Sequence, residues 1–368
     1  MKVAFFFGAL NRGGAESLVL DVCKKKDIAP FEMVCLYRKD GDYLESFKET
    51  GVDMLKVEKR GGLLKYLLSF RKAVLSSHID IVHAQTGFNA LICIAALAFT
   101  RIKLITTLHG LYFASATWWK RKLVYWKSKC LICVSAFEKQ YYEGKWHLPA
   151  ENKLRVVYNG MDFSKLDSIV PDEGHPVDLG KDGLNMVMVG SFRGVRAHSF
   201  ICEVADALNK TGFPFNLYFV GRRDALEHQL YDRCVAFCNA HGLSEKVHFL
   251  GNRSDIPYLL KQMDLFIYAS NQDTFGIAVL EAMAAGLPVI VNDWAVMKEI
   301  TDGGKLAVLY ETGNVQDCVS RILAFQQMKN QRSEILEQSA RDVASIVRER
   351  YSIEKHIQNL NIVYLSCI

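Results

Sequence analysis

The 368-residue sequence has little proline, little net charge and no long hydrophobic run. Only seven prolines occur and 23% of the residues are charged, a composition that excludes a disordered or collagen-like chain. The formal charge of +5 is too small to indicate a nucleic-acid-binding protein. The longest uncharged apolar run, Ala90 to Phe99, is ten residues long, whereas a membrane-spanning helix needs roughly 20. We therefore expect neither a nucleic-acid partner nor a transmembrane helix.

Signals for secretion and for disulfides are also scarce. The opening MKVAFFFGAL has a short apolar stretch and no small-residue cleavage site, so it predicts a strand rather than a signal peptide. The ten cysteines lie mostly in apolar runs, as buried free thiols do. Cys130 and Cys133 have the spacing of a redox or zinc motif, but no second pair stands at metal spacing, and we favour buried core residues. These features predict a cytoplasmic protein.

Two series of short apolar runs alternate with amphipathic stretches such as 14–26, 63–77 and 117–128. The runs lie at 3–10, 31–37, 80–85, 103–110, 130–135 and 154–160, and then at 185–191, 216–221, 246–251, 265–270 and 287–293. Apolar strands separated by helices predict doubly wound parallel sheets, covered on both faces. The tail after about residue 314 predicts helices only.

The chain length suggests two domains, at roughly 100–200 residues each. The stretch 164–183 is rich in Pro, Gly and Asp and lacks periodicity, which makes it the candidate linker. We expect an α/β protein with a first domain over 1–165 and a second over 166–350. A C-terminal helix over 351–368 is expected to pack back on the first domain. Ligands of such sheets bind at the carboxyl ends of the strands, so the loops there are the candidate sites.

Two of these loops carry residues suited to phosphate. Gly13 and Gly14 begin a helix and leave N–H groups open to a phosphate or a sugar hydroxyl, although close packing of the helix start is an equally good interpretation. Arg193 and Arg196 follow the run 185–191, where two guanidinium groups can clamp a diphosphate. A solvated pair of arginines is the simpler alternative.

The segment 270–293 carries the strongest signal. A Thr274-Phe275-Gly276 turn precedes a helix whose first N–H groups lack intrahelical partners. Asp273 lies just before this helix, and Glu281 lies about one turn inside it among apolar residues. A carboxylate in such surroundings needs a partner, which ribose hydroxyls or an arginine would supply.

At this point the residues carry a family resemblance. The run DTFGIAVLEAMAAGLPVI (273–290) resembles the signature of retaining GT-B glycosyltransferases of glycosyltransferase family 4. Further pieces occur in the family's order up to about residue 300: GGAE at 13–16, TLHG at 107–110, VYNGMD at 157–162, VGSFRGVR at 189–196, FVG at 219–221 and FLGNRSDIPYLL at 249–260. The resemblance implies two Rossmann-like domains that face a cleft, with a nucleotide-sugar held mainly by the second.

The resemblance also implies roles for individual residues. Arg193 and Arg196 would bind the donor diphosphate, and Glu281 would hold the ribose hydroxyls. The donor sugar would be surrounded by Asp273, the amides of Thr274, Phe275 and Gly276, and His109, while Gly13 and Gly14 approach from the first domain. Arg253 and Ile256 fall where the family contacts the base. Asp273 stands in place of the more usual Glu and Arg196 in place of the usual Lys.

The implied activity is retaining transfer of a sugar from a nucleotide-sugar, with a UDP-sugar favoured and a GDP-sugar as the second choice. The acceptor would be a saccharide or lipid-linked saccharide of a cell-surface polysaccharide. The fold is not expected to use a metal-binding Asp-x-Asp motif, and no metal or cofactor is expected. A nucleotide-sugar-binding protein without transferase activity remains an alternative. So does a GT-B epimerase, although that family lacks the DTFG…EA segment.

The small net charge conceals an asymmetry. Residues 1–160 contain 25 Lys+Arg and 14 Asp+Glu, whereas the remainder contains 20 and 26. The stretch 115–129 mixes three Trp and a Tyr with five basic residues, and both a membrane-interface helix and a core-facing helix with a solvated basic face fit it. For the basic stretch 61–75 we favour the core-facing helix. Our hypothesis is peripheral contact of 115–129 with the inner face of the cytoplasmic membrane.

Overall fold

The structure is a computed structural model that describes residues 1–59, 61–149, 151–167, 170–174, 176–177, 179–180 and 182–368. The chain forms two compact units. The first consists of residues 1–162 together with 351–368, and the second of residues 163–350. The linker predicted over 164–183 begins with a short helix at 164–167 and includes positions 168, 169, 175, 178 and 181, which lie outside the described residues.

The first unit is a seven-stranded, all-parallel sheet with helices on both faces. Its strands are β1 (Lys2–Ala9), β2 (Glu32–Lys39), β3 (Asp53–Lys56), β4 (Ile81–Ala84), β5 (Lys103–Thr107), β6 (Cys130–Cys133) and β7 (Leu154–Val156). They lie in the order β3-β2-β1-β4-β5-β6-β7. Its helices are α1 (Gly14–Lys24), α2 (Leu44–Glu49), α3 (Leu63–Ser76), α4 (Gly87–Ala96), α5 (Trp118–Lys127) and α6 (Ala136–Trp146), with a final helix contributed by the C-terminal segment.

The second unit is a six-stranded parallel sheet. Its strands are β8 (Leu184–Val189), β9 (Phe215–Val220), β10 (Val247–Gly251), β11 (Leu265–Tyr268), β12 (Val289–Asn292) and β13 (Val308–Tyr310). They lie in the order β10-β9-β8-β11-β12-β13. Its helices are α7 (Ser164–Asp167), α8 (His198–Lys210), α9 (His228–Ala240), α10 (Ile256–Gln262), α11 (Ile277–Ala284), α12 (Ala295–Ile300), α13 (Val315–Gln331) and α14 (Ser333–Arg350). The two parallel sheets confirm the predicted α/β fold class.

The core of the first unit lies on both faces of its sheet because β1 is apolar throughout. Val3, Phe5 and Phe7 pack on the face covered by α1, whereas Ala4 and Phe6 pack on the face covered by α3 to α6. Successive side chains of a strand point to opposite faces, so an uninterrupted apolar strand requires helices on both. Cys130 and Cys133 are buried within β6, so the prediction of core cysteines is confirmed.

The C-terminal segment packs in the first unit, where α15 (Ile353–Leu365) shares the core on the α1 face. The Met161 N–H donates to the Tyr351 carbonyl at 2.9 Å, and the Ile353 N–H donates to the Met161 carbonyl at 3.0 Å. Gly160 permits this approach, since a Cβ there would lie 2.5 Å from the Cβ of His356. Across the described ranges, no helix is both long enough and apolar enough to cross a membrane.

Candidate active site

The carboxyl end of β8 places an arginine at the centre of a hydrogen-bonded cluster. Arg196 donates from Nη1 to the Ser191 hydroxyl at 2.9 Å and to the Ser191 carbonyl at 3.2 Å. Its Nε donates to the hydroxyl of Tyr268 at 3.0 Å. Gly190 leaves room for this side chain, because a Cβ at Gly190 would lie 2.7 Å from the Cδ of Arg196. The guanidinium group is therefore held in one orientation at the end of the sheet.

Tyr268 connects this arginine to the predicted acidic residue. It ends β11, and its hydroxyl donates to the Oδ2 of Asp273 at 2.6 Å. Burial, reinforced by the charge of Asp273, raises the pKa of the Tyr268 phenol, which keeps it a neutral donor. Burial acts to lower the pKa of the Arg196 guanidinium, but Tyr268 and the charges of Asp273 and Glu281 bring it above its usual value. The structure thus brings together Arg196, Asp273 and Glu281, three residues that the sequence singled out.

The loop that carries Asp273 is fixed by neutral hydrogen bonds. The Ser270 hydroxyl donates to the Val195 carbonyl at 3.0 Å and accepts the Asp273 N–H at 3.1 Å. Asn292, at the end of β12, pairs with the backbone of Ser270 through its Oδ1 at 3.0 Å and its Nδ2 at 2.7 Å. The indole N–H of Trp294 donates to the Asp273 carbonyl at 3.1 Å. The position of the carboxylate is thereby set by three neighbouring strands.

The turn after Asp273 begins α11 as the sequence predicts. Gly276 precedes the helix with a φ of +84°, a left-handed conformation that favours glycine. A Cβ there would also lie 3.0 Å from Ile300. Thr274 is half-buried and Phe275 is buried, so the turn presents its backbone rather than a large side chain. N–H groups at such a helix start are suited to oxygen acceptors.

The two remaining arginines of the predicted site have separate partners. Arg193 donates from Nε to Asp224 at 2.8 Å, and this bond lowers the pKa of the Asp224 carboxyl. Arg253 forms two hydrogen bonds with Asp255, at 2.8 and 2.7 Å. Burial acts to raise the pKa of Asp255, but the bonds from Arg253 help to bring it below its usual value. Ile256 follows as the half-buried first residue of α10.

In the first unit, His109 follows β5 and pairs with a glutamine. Its Nε2 lies 3.0 Å from the Oε1 of Gln85, a buried residue directly after β4. The Gln85 amide also donates to the His83 carbonyl, at 3.4 Å. An amide oxygen only accepts, so in this arrangement Nε2 of His109 carries the proton and Nδ1 carries the lone pair. Burial and the nearby His356 lower the pKa of His109, which keeps the imidazole neutral.

His83 forms a second neutral connection at the same strand ends. Its Nδ1 lies 2.7 Å from the Tyr364 hydroxyl on α15, and its Nε2 lies 2.7 Å from the Thr107 hydroxyl on β5. Burial lowers the pKa of His83 to about 3. The C-terminal helix is therefore hydrogen-bonded to the strands that position Gln85 and His109.

A buried carboxylate fixes the loop that follows His109. Glu138, on α6, accepts the N–H groups of Gly110 and Val134, both at 2.7 Å. The Tyr142 hydroxyl donates to the Gly110 carbonyl at 2.8 Å. The backbone of Gly110 is thus held through both its N–H and its carbonyl.

The glycines after β1 lie at the start of α1, as predicted. Gly14 is exposed, and a Cβ there would meet nothing within 4 Å. Gly13 has an extended backbone, and its close neighbour is the carboxylate of Glu16. Close packing therefore does not explain Gly14. Burial raises the pKa of Glu16.

Among the described residues, no group of three or more His, Cys, Asp or Glu side chains is arranged to hold a metal ion. One tripeptide, Asp40-Gly41-Asp42, has the Asp-x-Asp pattern. Its carboxylates have other partners, since Asp40 pairs with Lys56 at 2.5 Å and Asp42 accepts the N–H of Arg12 at 3.3 Å.

Sequence reasoning missed the residues that orient the predicted ones: Tyr268, Ser270, Asn292, Gln85 and Glu138. The first four follow or end strands, so their positions at carboxyl ends were a usable signal. Glu138 stands three residues after Ser135, the spacing of a capping box, and Ser135 does cap α6. Only the fold reveals that the Glu138 carboxylate reaches Gly110.

Comparison with known proteins assigns the family. Residues 12–165 match the model described as Glycosyltransferase Family 4, and residues 176–342 match Glycosyl transferases group 1. The chain is 24% identical over 319 residues to the O-antigen biosynthesis glycosyltransferase WclY of Escherichia coli, covering 82% of this chain and 83% of WclY. It is 25% identical over 244 residues to the UDP-Gal:alpha-D-GlcNAc-diphosphoundecaprenol alpha-1,3-galactosyltransferase of Escherichia coli, covering 62% of each.

Among solved structures, HepE of Anabaena in complex with UDP superposes with a TM-score of 0.83 and 18% sequence identity over 100% of both chains. This likeness concerns the fold, and it agrees with the two parallel-sheet units. Together with the two family models, it shows that the chain is a glycosyltransferase of family 4 with the GT-B fold.

Proposed function

We propose that the protein is a retaining glycosyltransferase of cell-surface polysaccharide synthesis. It transfers a sugar from a nucleotide-sugar, with UDP-sugars favoured over GDP-sugars, to a saccharide or lipid-linked saccharide. The proposal is supported by relatives named for O-antigen synthesis and for UDP-Gal and a diphosphoundecaprenol acceptor, and by the UDP complex of HepE.

The observation that carries the proposal is the cluster formed by Arg196, Tyr268 and Asp273, with Glu281 close by. A preorganised guanidinium group stabilises the negative charge that develops on a departing diphosphate. In this proposal Arg196 binds the diphosphate together with Arg193. Glu281 holds the ribose hydroxyls, and Asp273 contacts the donor sugar.

The remaining donor contacts come from backbone and loop residues. The amides of Thr274, Phe275 and Gly276 face oxygens of the donor, and the turn around Arg253 and Ile256 contacts the base. In the first unit, the open start of α1 at Gly13 and Gly14 approaches phosphate or sugar. His109 positions the reacting sugar as a neutral imidazole.

In the proposed reaction, the bond between the anomeric carbon and the diphosphate oxygen breaks as the carbon gains oxocarbenium character. The acceptor hydroxyl attacks from the face that the diphosphate leaves, which retains the configuration. The hydroxyl proton passes to an oxygen of the departing diphosphate, so the products are the glycoside and the nucleoside diphosphate. Arginine and backbone donors supply the charge stabilisation, and no metal ion takes part.

We also propose that the first unit serves the acceptor and contacts the inner face of the cytoplasmic membrane through residues 115–129. A lipid-linked acceptor would be presented at that surface. The three tryptophans and five basic residues of this stretch support the placement, because aromatic rings and cations favour a bilayer interface.

The experiment that tests the activity has two steps. A thermal-shift panel of UDP-, GDP- and ADP-sugars identifies the donor, because a bound ligand raises the apparent stability. Release of the nucleoside diphosphate is then measured with water and with lipid-linked saccharides as acceptors. We expect turnover that is lost in Glu281→Ala and Arg196→Ala and kept in Arg341→Ala, a control at an exposed ion pair.

Binding of a donor without turnover on any acceptor would replace the transferase with a nucleotide-sugar-binding protein. Asp273 stands where the family usually has Glu, and Arg196 where it usually has Lys. Both departures from the family pattern are compatible with a protein that binds the donor without transferring it. Binding of no nucleotide-sugar at all would contradict both functions.

A further inference from the structure

Helix α3 is apolar on two opposite sides. Tyr66, Phe70 and Val74 are buried against the sheet. Leu64, Leu68 and Leu75 are 45–71% exposed. At 3.6 residues per turn these leucines fall within about 40° of one another, on the side away from the core. The expectation of a core-facing helix with a solvated basic face agrees with these buried residues and with the exposed Lys65 and Lys72. The leucine stripe is a further feature of the outer side.

Helix α5 shows the same arrangement with aromatic residues. Val124 is its buried residue. Trp118, Trp119 and Trp126 are 50–68% exposed and fall within about 100° of one another on the opposite side. Lys122 lies between them in this projection, and its Nζ is 5.3 Å from the ring centroid of Trp118. Aromatic rings paired with cations are typical of the bilayer interface.

The two stripes belong to one surface. Helix α4 packs against both α3 and α5, and the inner residues of all three helices share one core on the same face of the sheet. We call the outward stripes together the α3–α5 face, defined by Leu64, Leu68, Leu75, Trp118, Trp119 and Trp126. An exposed apolar patch of this kind marks a surface for interaction.

The charge of the surrounding sequence identifies the partner. Residues 59–137 contain 12 Lys+Arg and a single acidic residue, Asp80. The rest of 1–160 contains 13 Lys+Arg and 13 Asp+Glu, so the whole excess of positive charge in this half lies in the segment that carries the α3–α5 face. Leucine and tryptophan stripes set among basic residues fit a bilayer with anionic headgroups.

We propose that the α3–α5 face lies in the interface of an anionic lipid bilayer, with α3 as a second insertion element beside the 115–129 segment. The inference rests on the proposed membrane contact of the first unit and adds a helix to it. The leucines of α3 enter the boundary of the acyl chains, and the tryptophans of α5 lie at the headgroups. The lysines and arginines contact lipid phosphates.

Vesicle binding of the full chain tests the proposal. Flotation with phosphatidylcholine–phosphatidylglycerol vesicles is compared for the wild type, Leu64→Glu/Leu68→Glu and Trp118→Ala/Trp126→Ala. The matched control is Ile362→Glu/Leu365→Glu on α15, which packs on the other face of the same sheet and has side chains 65% and 62% exposed. We expect the wild type and the control to bind equally, and each test variant to bind at least about tenfold more weakly.

Each outcome bears on a different claim. Equal binding by Leu64→Glu/Leu68→Glu and the wild type would overturn the role of α3 while leaving the 115–129 contact in place. Binding to no vesicle would overturn both, and equal binding to pure phosphatidylcholine would overturn the anionic partner. Circular dichroism and release of nucleoside diphosphate from the donor check folding and activity separately, so a failure of the transferase proposal would be seen independently.

Discussion

The first strand of each unit, β1 or β8, lies between the second and fourth strands of that unit, so the two sheets have the same strand order there. The polar groups at the ends of these strands are nevertheless held differently in the two units. In the first unit, His83 lies between the hydroxyls of Tyr364 and Thr107, and burial keeps it neutral. In the second, Arg196 is joined through Tyr268 to the Asp273 carboxylate. A neutral network fixes orientation, whereas a charged cluster can also exchange its internal partners for those of a charged ligand. The same architecture therefore supports two kinds of task.

The largest effect is expected from removing the charge at the centre of the second unit. Arg196→Ala should lower turnover about 100-fold or more, because a preorganised donor to the departing diphosphate is lost. Arg196→Lys should keep part of the activity, since the charge remains but the fork of donors does not. Release of nucleoside diphosphate under saturating donor measures both. Unchanged turnover in Arg196→Ala would show that the reaction does not depend on the charged cluster of the second unit.

In the first unit, the loss of a buried carboxylate is expected to lower the stability of the fold. Glu138→Ala leaves the N–H groups of Gly110 and Val134 without their carboxylate, at a cost of about 3 kcal/mol in the free energy of unfolding. Urea denaturation measures this loss. The exposed Glu151→Ala in the same unit is the control and should change stability little. A Glu138→Ala chain as stable as the control would show that the loop after His109 does not depend on this carboxylate.

Acidification should weaken the neutral network. Burial lowers the pKa of His356 from its ordinary value of 6.5 to about 4. Between pH 6.5 and about 4, the unfolded chain therefore binds a proton that the folded chain does not. Stability is therefore lost as the pH falls, by about 2 kcal/mol for this residue between pH 7 and 5. His356→Gln keeps a donor for the Tyr158 carbonyl and should show a pH-dependent loss smaller by that amount. An identical pH dependence in the two proteins would mean that His356 is not held neutral.

The smallest expected effect is a change in the pKa of His109. Gln85→Glu places a carboxylate beside the Nε2 of His109 and should raise the histidine pKa by about one unit, since a nearby negative charge favours the imidazolium. Gln85→Leu should leave the pKa low. Nitrogen-15 NMR of labelled histidines follows both the pKa and the tautomer. A His109 resonance that is the same in all three proteins would exclude Gln85 as the residue that fixes its protonation.

Much of the fold follows from local pattern. Most strands are apolar runs that the sequence delimits within a few residues, such as 215–220 and 265–268. Two strands are exceptions, β3 and β13, each at the edge of its sheet. Asp53 and Lys56 at the ends of β3 are exposed, and β13 has only three residues. An edge strand pairs on one side, so its composition is less constrained and its pattern weaker.

The candidate site was predictable in position but not in its internal bonds. Arg196 and Asp273 follow strands that end at the same edge of a sheet, so their loops could be chosen from the sequence alone. Tyr268 resembles any core residue of an apolar strand until folding places its hydroxyl between them. The exposure of the outer leucines of α3 is likewise not evident from the sequence, because apolar residues on a helix are ordinarily assigned to the core.

We propose that the charged cluster of the second unit binds the nucleotide and that the neutral network of the first does not. Isothermal titration of UDP into the wild type, Arg196→Ala and Gln85→Leu tests it directly. We predict binding by the wild type and Gln85→Leu with similar affinity, and at least about tenfold weaker binding by Arg196→Ala, as expected from the loss of a charge-assisted contact. Weaker binding in Gln85→Leu with unchanged binding in Arg196→Ala would contradict the claim.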